Sequence, residues 1–251
     1  MNLVLLFDSD FMVRSSVNAS NHPEQSEGSS QKVCLTGRRF VHIQEILKVK
    51  VGQVLSVGRL NGLIGQGQVI NLGKNFLEMD VDLKLEPPKP LDLTLIMALP
   101  RPPMLKRTLQ CAASLGIKKI IILHFAKVEK SLWQSSALKP EAIQEELILG
   151  LEQAKDTFLP EIILKKRFKP FVEDELPQLI KGKKALVVHP GETMPLPKAG
   201  KNEVVLVIGP EGGLTDFEVD LLKSKGVQGA HLGSRILRFE NVIPYCVGKM
   251  Y

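Results

Sequence analysis

Short apolar runs rich in β-branched residues, broken repeatedly by glycine, dominate residues 1–86. KVCLTG, QVLSVGRLNGLIGQGQVI and FLEMDVDLKL are of this kind, and Gly52, Gly58, Gly62, Gly65, Gly67 and Gly73 punctuate them. Many short strands with frequent turn signals predict a small barrel or sandwich. Helical spacing interrupts this stretch in RRFVHIQEILK, residues 38–48, where Phe40, Ile43 and Leu47 share a face. The opening MNLVLLFDSDFMV is apolar but lacks a basic leader and is interrupted by Asp8 and Asp10. It reads as a first strand rather than a signal peptide. The polar residues 18–30 read as a loop.

EPPKP, residues 86–90, is a stiff, extended connector. Beyond it, strand and helix patterns alternate. Apolar runs predict strands over 93–99, 117–123, 161–165, 184–188 and 203–208, with a short last one over 229–232. Helical spacing predicts helices over 104–115, closed by Gly116, and over 140–155, 172–181, 215–225 and 240–250. Thr215 and Glu218 have the spacing of a capping box. Alternation of this kind predicts an α/β domain with a largely parallel sheet. One connection breaks the rule: HPGETMPLPKAGKN, between the strands at 184–188 and 203–208, shows no helical pattern. Parallel neighbours ordinarily need a helical crossover, so unusual threading is worth considering here.

Composition narrows the class. The chain has 251 residues, 44% of them hydrophobic, which is enough for one large or two modest cores. The net charge of +6 is compatible with a nucleic-acid partner without requiring one. Cys34, Cys111 and Cys246 are widely spaced and form no CxxC, and the five histidines lack ligand spacing. No disulfide framework and no metal are expected, and a reducing cytoplasm fits best. No apolar run approaches the ~18 residues of a membrane span.

Three clusters follow predicted strand ends: VVHPGE with His189 and Pro190, VIGPEGGLTD around Ile208 to Gly213, and HLGSRILRFENV around Gly233. Ligands of open α/β sheets bind at the carboxyl ends of strands, so the three could face one site. The glycine turn lacks the lysine of a phosphate loop and the spacing of a dinucleotide fingerprint, and Glu211 would repel phosphate. It suits a ligand of positive or modest charge, such as the sulfonium of S-adenosylmethionine, or else it is an empty strand-to-helix turn. Arg235 and Arg238 stand three apart, so they could converge on RNA phosphate or an anionic base; a solvated helix start with a local arginine–glutamate pair is the plainer possibility.

Together IGPEGGLTDFEV and LGSRILRFEN resemble the signature loops of the RsmE family, 16S ribosomal RNA uridine-N3 methyltransferases of the SPOUT superfamily. HIQEILKVKVGQVLSVGRLNG resembles that family's N-terminal RNA-binding domain, LKRTLQCAASLGIKKIIILHFAKVEKS the opening of its methyltransferase domain, and VVHPGE its first cofactor loop. The resemblance implies a PUA-like β-barrel RNA-binding domain over residues 1–86 and a trefoil-knotted α/β methyltransferase domain over 87–251, the helix-free connection lying in the knot. It implies S-adenosylmethionine as cofactor, 16S rRNA in the small ribosomal subunit as partner, and a homodimer. Carried over by position, Leu232, Gly233, Ile236 and Leu237 surround the adenine, Gly209, Glu211 and Gly213 line the ribose and methionine, and His189, Pro190, Ile208 and Pro210 complete the cofactor site.

The chain departs from the family in three places. Phe239, Glu240, Asn241 and Val242 stand where the family has Thr-Glu-Thr-Ala, EQAKDTFLPEI replaces a segment with EQSGR, and RPPMLK replaces KGEKME. Uracil N3 is a poor nucleophile until its proton leaves, so a site must remove that proton or stabilise the resulting anion. Arg238 is the candidate for stabilising the anion, Arg235 for holding RNA phosphate, and Glu240 for the base, although Glu240 could equally pair with Arg238. Arg14, Arg38, Arg39, Lys48 and Lys50 are the candidate RNA contacts of the first domain, against the alternative that they are merely solvated. Two rivals stay open: a related enzyme acting on another rRNA or tRNA site, and a non-catalytic RNA-binding or assembly factor. A nucleotide-binding oxidoreductase is disfavoured by the missing glycine fingerprint.

Overall fold

Continuous apolar strands fix the larger of two structural units. In the computed structural model, which describes residues 2–12 and 31–251, the chain divides into one unit running up to Pro88 together with Leu151–Phe158, and another formed by Lys89–Gly150 and Leu159–Tyr251. Arg14 and the loop expected over 18–30 lie outside the described residues.

The first unit is built on a five-stranded sheet. Its strands are β1 (Val4–Leu6), β2 (Gln31–Leu35), β3 (Val54–Arg59), β4 (Ile64–Leu72) and β5 (Leu77–Leu85), in the order β1-β3-β4-β5-β2. β1 pairs in parallel with β3, and the other pairs are antiparallel. Strand β1 is much shorter than the apolar opening suggests, because the chain turns through Asp8–Asp10. Phe11 then bridges Val33 of β2, so a few residues of chain reach from one edge of the sheet to the other. The inward residues of all five strands form one core with Phe40 and Ile43. Helix α1 (Gly37–His42) continues as a wider π turn over Ile43–Leu47 and stops at Lys48 in a left-handed conformation (φ 50°). Where β4 passes β5, a Cβ on Gly65 would lie 1.8 Å from the Asp82 carbonyl oxygen. Only glycine permits that approach.

Residues 151–158 join this unit through hydrogen bonds that no sequence pattern announces. The Glu152 carbonyl accepts the amides of Asn2 and Leu3, and Thr157 Oγ1 donates to the Gly62 carbonyl. The Glu152 carboxylate is buried and accepts both terminal nitrogens of Arg38. Burial pushes its pKa up against the opposing pull of Arg38.

The second unit holds six strands, all parallel: β6 (Leu93–Ala98), β7 (Lys119–Leu123), β8 (Glu161–Lys165), β9 (Lys184–Val188), β10 (Val204–Ile208) and β11 (Gln228–Ala230), ordered β11-β9-β10-β6-β7-β8. Every residue of β6 and β10 is buried, as expected for central strands of a parallel sheet. Helices α2 (Pro102–Ser114), α3 (Pro140–Ala154), α4 (Phe168–Pro170), α5 (Leu176–Ile180), α6 (Asp216–Ser224) and α7 (Phe239–Met250) join or follow them. The helix expected over 172–181 begins earlier, at Phe168, with a π turn over Phe171–Glu175 inside it. Two 3-10 turns, Lys130–Gln134 and Ser136–Leu138, fill the segment before α3 where the sequence shows no periodicity.

β9 and β10 are parallel neighbours, yet residues 189–203 between them contain no helix. That crossover is held instead by Pro195 bridging His231, by the Leu196 amide donating to the His231 carbonyl, and by the Ala199 amide donating to the Met250 carbonyl. No helix among the described residues is long and apolar enough to cross a membrane.

Candidate functional site

Since all six strands of the second unit run the same way, the residues following each strand gather along one edge. β9 delivers His189, β10 delivers Gly209, and β11 runs through His231 to Gly233. Around these three ends lies a cavity of about 210 Å³. It is lined by His189, Pro190, Ile208, Gly209, Pro210, Glu211, Gly213, Leu232, Gly233, Ile236 and Leu237, and by Arg235. The three clusters singled out in the sequence thus share one space. Val188, Leu214, Ser234, Phe239 and Val242 also line it; all five lie within the same three motifs, although none of them was among the site residues expected from the sequence. Membership of those motifs was the available signal.

Local chemistry shapes each loop. Gly213 (φ 75°) closes a turn in which its amide donates to the Pro210 carbonyl at 2.8 Å. A Cβ on Gly209 would fall 2.7 Å from Leu214 Cγ, so the turn packs against its own next residue. Gly233 (φ 120°) donates its amide to His231 Nδ1 at 3.0 Å. That bond requires an unprotonated Nδ1, which sets the tautomer of His231. His189 enters by donating its amide to the Ala230 carbonyl, and its buried Nδ1 has no hydrogen-bond partner among the described residues. Behind it, Glu192 pairs with Lys223 of α6 at 2.6 Å.

The glycine turn is pinned from two sides. Thr215 and Glu218 form the expected capping box: Glu218 Oε2 accepts the Thr215 amide at 2.8 Å, and Thr215 Oγ1 accepts the Glu218 amide. The structure adds a bond that the spacing could not show, from the Ala126 amide to Glu218 Oε1 at 2.7 Å. Glu218 is 2% exposed. This buried carboxylate ties the start of α6 to the loop after β7, and Lys127 Nζ donates to the Gly212 carbonyl from the same loop. Glu218→Ala is expected to destabilise the protein by about 2–3 kcal/mol, since it strands buried amide donors. Urea unfolding measures this; an unchanged midpoint would show that the tie is dispensable.

Arg238 and Glu240 do not line the cavity. Arg238 is exposed at the N-cap of α7, and Glu240 is half-buried in its first turn. Among the described residues neither they nor Arg235 form an ion pair, so the local Arg238–Glu240 bridge is absent there. Glu240 is favourably placed near the positive end of the helix, but a cation at Arg238 opposes the helix dipole. Helix stability therefore does not explain Arg238. Phe239, where the sequence leaves the family pattern, is buried in the cavity wall.

The basic residues of the first unit behave differently from one another. Arg39 is turned inward onto Asp10, with Nη1 also donating to the Leu5 carbonyl at 2.7 Å and the guanidinium 4.3 Å from the centre of the Phe7 ring. Arg38 is committed to Glu152. Lys48 and Lys50 are exposed.

Comparison with known proteins agrees with this geometry. The family model for an RNA methyltransferase domain matches residues 87–250. Over 212 residues the chain is 30% identical to the ribosomal RNA small subunit methyltransferase E of Treponema pallidum, covering 80% of this chain and 78% of that one. The protein of the same name from Synechocystis is 27% identical over 82% of this chain and 68% of its own. Two solved structures share the fold with a TM-score of 0.73. One is from Legionella pneumophila in complex with the bound cofactor SAM, 22% identical, covering 89% of this chain and 93% of that one. The other is the Neisseria gonorrhoeae ribosomal RNA small subunit methyltransferase E bound to S-adenosyl methionine, 20% identical, covering 99% and 95%. With its domain model spanning residues 87–250 and a relative of this kind at 30% identity, the chain belongs to the RNA methyltransferase family, among the ribosomal RNA small subunit methyltransferase E proteins.

Proposed function

We propose that this protein uses S-adenosylmethionine to methylate N3 of a uridine in 16S ribosomal RNA. The observation that carries the proposal is the convergence of three strand-end loops on one cavity, in a chain of this family. The lining fits the cofactor. Leu232, Ile236 and Leu237 supply apolar surface for an adenine ring, and Ile236, 85% exposed, lacks cover from its own chain. Glu211 supplies the negative charge that a sulfonium or an amine requires, and Gly209, Gly213 and Gly233 keep backbone within reach of a ligand. Among the described residues Arg235 is the one lysine or arginine that lines the cavity. When bound, the cofactor supplies a methyl group on a positively charged sulfur.

The chain's own residues then have to orient the base and manage its proton. Arg238, exposed and without an ion-pair partner among the described residues, is assigned to the negative charge that develops on the uracil carbonyls. Arg235, at the cavity rim, is assigned to RNA phosphate, and Glu240 to the N3 proton. The trefoil knot is supported by the helix-free crossover from β9 to β10 and its bonds to His231 and Met250. The first unit is assigned to RNA binding as a PUA-like barrel, supported by its curled sheet and by exposed Lys48 and Lys50. A homodimer acting in the cytoplasm on the small ribosomal subunit completes the proposal.

Nucleoside mass spectrometry of small-subunit RNA treated with protein and cofactor tests it; 3-methyluridine is expected, and its absence refutes the assignment. Arg238→Ala is expected to lower turnover by about tenfold or more while leaving cofactor affinity unchanged. Near-parental turnover would remove Arg238 from the mechanism.

A further inference from the structure

A second cavity of about 180 Å³ opens on the other side of the glycine turn, between the end of β6 and the loop after β7. Its apolar walls include Leu99, Pro100 and Leu132, and its polar groups are Arg101, Lys127, Glu129 and Glu211. Pro210, Glu211 and Phe239 line both this cavity and the first one. The two cavities therefore adjoin at these three residues, so that a base held in the second could present N3 directly to a methyl group held in the first. Neither the glycine turn nor the arginine motif points to Arg101, Lys127 or Leu132.

We propose that this second cavity receives the target uracil, with Arg101 and Lys127 directed to its carbonyl oxygens. The proposal rests on the methyltransferase function set out above. A uracil ring has two flat apolar faces and an edge reading acceptor, donor, acceptor: O2, N3–H and O4. Cationic donors together with carboxylate acceptors at the rim match that edge. Cytosine would instead set its amino group against a cation, so the same rim discriminates between the pyrimidines. The cations are available to a ligand at small cost. Among the described residues the Arg101 side chain is held only by an exposed pair with Glu129 at 3.3 Å, and such surface pairs contribute little. Lys127 reaches the rim while its ammonium donates to the Gly212 carbonyl, which leaves further N–H donors free for a carbonyl oxygen. Both cations would favour the N3 anion over the neutral base, lowering the pH at which the ring ionises.

The test uses the full chain with cofactor and a 16S rRNA transcript carrying 4-thiouridine, which is photo-crosslinked and mapped by peptide mass spectrometry. Crosslinks are expected within residues 98–101 and 127–132. Leu132→Trp, which fills the cavity, is expected to reduce their yield about tenfold or more while calorimetric affinity for S-adenosylmethionine stays within about twofold. Lys127→Ala, a milder change at an exposed site, is expected to move the rise of the methylation rate to higher pH, a signature that lost packing would not produce. Crosslinks elsewhere with cofactor affinity intact, or an unchanged pH profile in Lys127→Ala, overturn the pocket assignment alone. A parent chain without cofactor affinity overturns the enzymatic function and this assignment together.

Discussion

Gly233→Val is expected to reduce affinity for S-adenosylmethionine by about a hundredfold or more, equivalent to ~3 kcal/mol, with little change in the unfolding midpoint. Gly233 has φ 120°, a conformation that β-branched residues almost never adopt. Space is not the obstacle, because a Cβ built there meets nothing within 4 Å. The strain is in the backbone, and the loop relieves it by moving. Movement breaks the bond from the Gly233 amide to His231 Nδ1 and displaces Leu232, Ile236 and Leu237 from the cavity wall. Stability is spared because Gly233 is exposed and lies outside the buried core. Calorimetric titration alongside thermal unfolding separates the two effects. Parental cofactor affinity in Gly233→Val would show that this loop does not bind the ligand.

The strand–helix alternation of the second unit was legible because its central strands are apolar along their whole length, as Leu93–Ala98 and Val204–Ile208 illustrate. The first cavity was legible because strand-end loops of a parallel sheet share an edge, and three short motifs marked those loops. The second cavity was not. Pro100 and Arg101, Lys127 and Leu132, Pro210, and Phe239 come from four separated stretches of chain with no common motif. Phe239 stood out only as a departure from the family pattern, and its position in the wall shared by both cavities required coordinates. The assignment of residues 151–158 to the first unit was equally hidden, since backbone groups make its bonds to Asn2 and Leu3. Charge alone also failed to separate surface cations from buried ones. Lys48 and Arg39 look alike in a basic stretch, but one is exposed and the other is turned into the fold.

That difference gives Arg39→Ala the largest expected effect on stability, a loss of about 3–5 kcal/mol. Asp10 is 7% exposed, and its carboxylate accepts from Arg39 at both oxygens, with Nη2 to Oδ1 at 2.8 Å. The Phe7 amide is its other donor, at 2.6 Å. Removing the guanidinium leaves a buried carboxylate with one partner, strips a donor from the Leu5 carbonyl and uncovers the Phe7 ring. Arg39→Lys is expected to recover part of the loss, since an ammonium keeps the charge but not the two-pronged geometry. Lys48→Ala and Lys50→Ala should do the opposite. They leave the unfolding midpoint within ~0.5 kcal/mol of the parent and weaken RNA binding. They also lower the slope of log affinity against log salt by about 0.7–0.9 for each phosphate that is no longer neutralised. Urea unfolding and salt-dependent RNA binding of the full chain distinguish the two sets. If Arg39→Ala unfolds at the parental urea concentration and loses only RNA affinity, Arg39 belongs with the lysines at the RNA surface, and the buried cluster around Asp10 contributes nothing measurable to the fold.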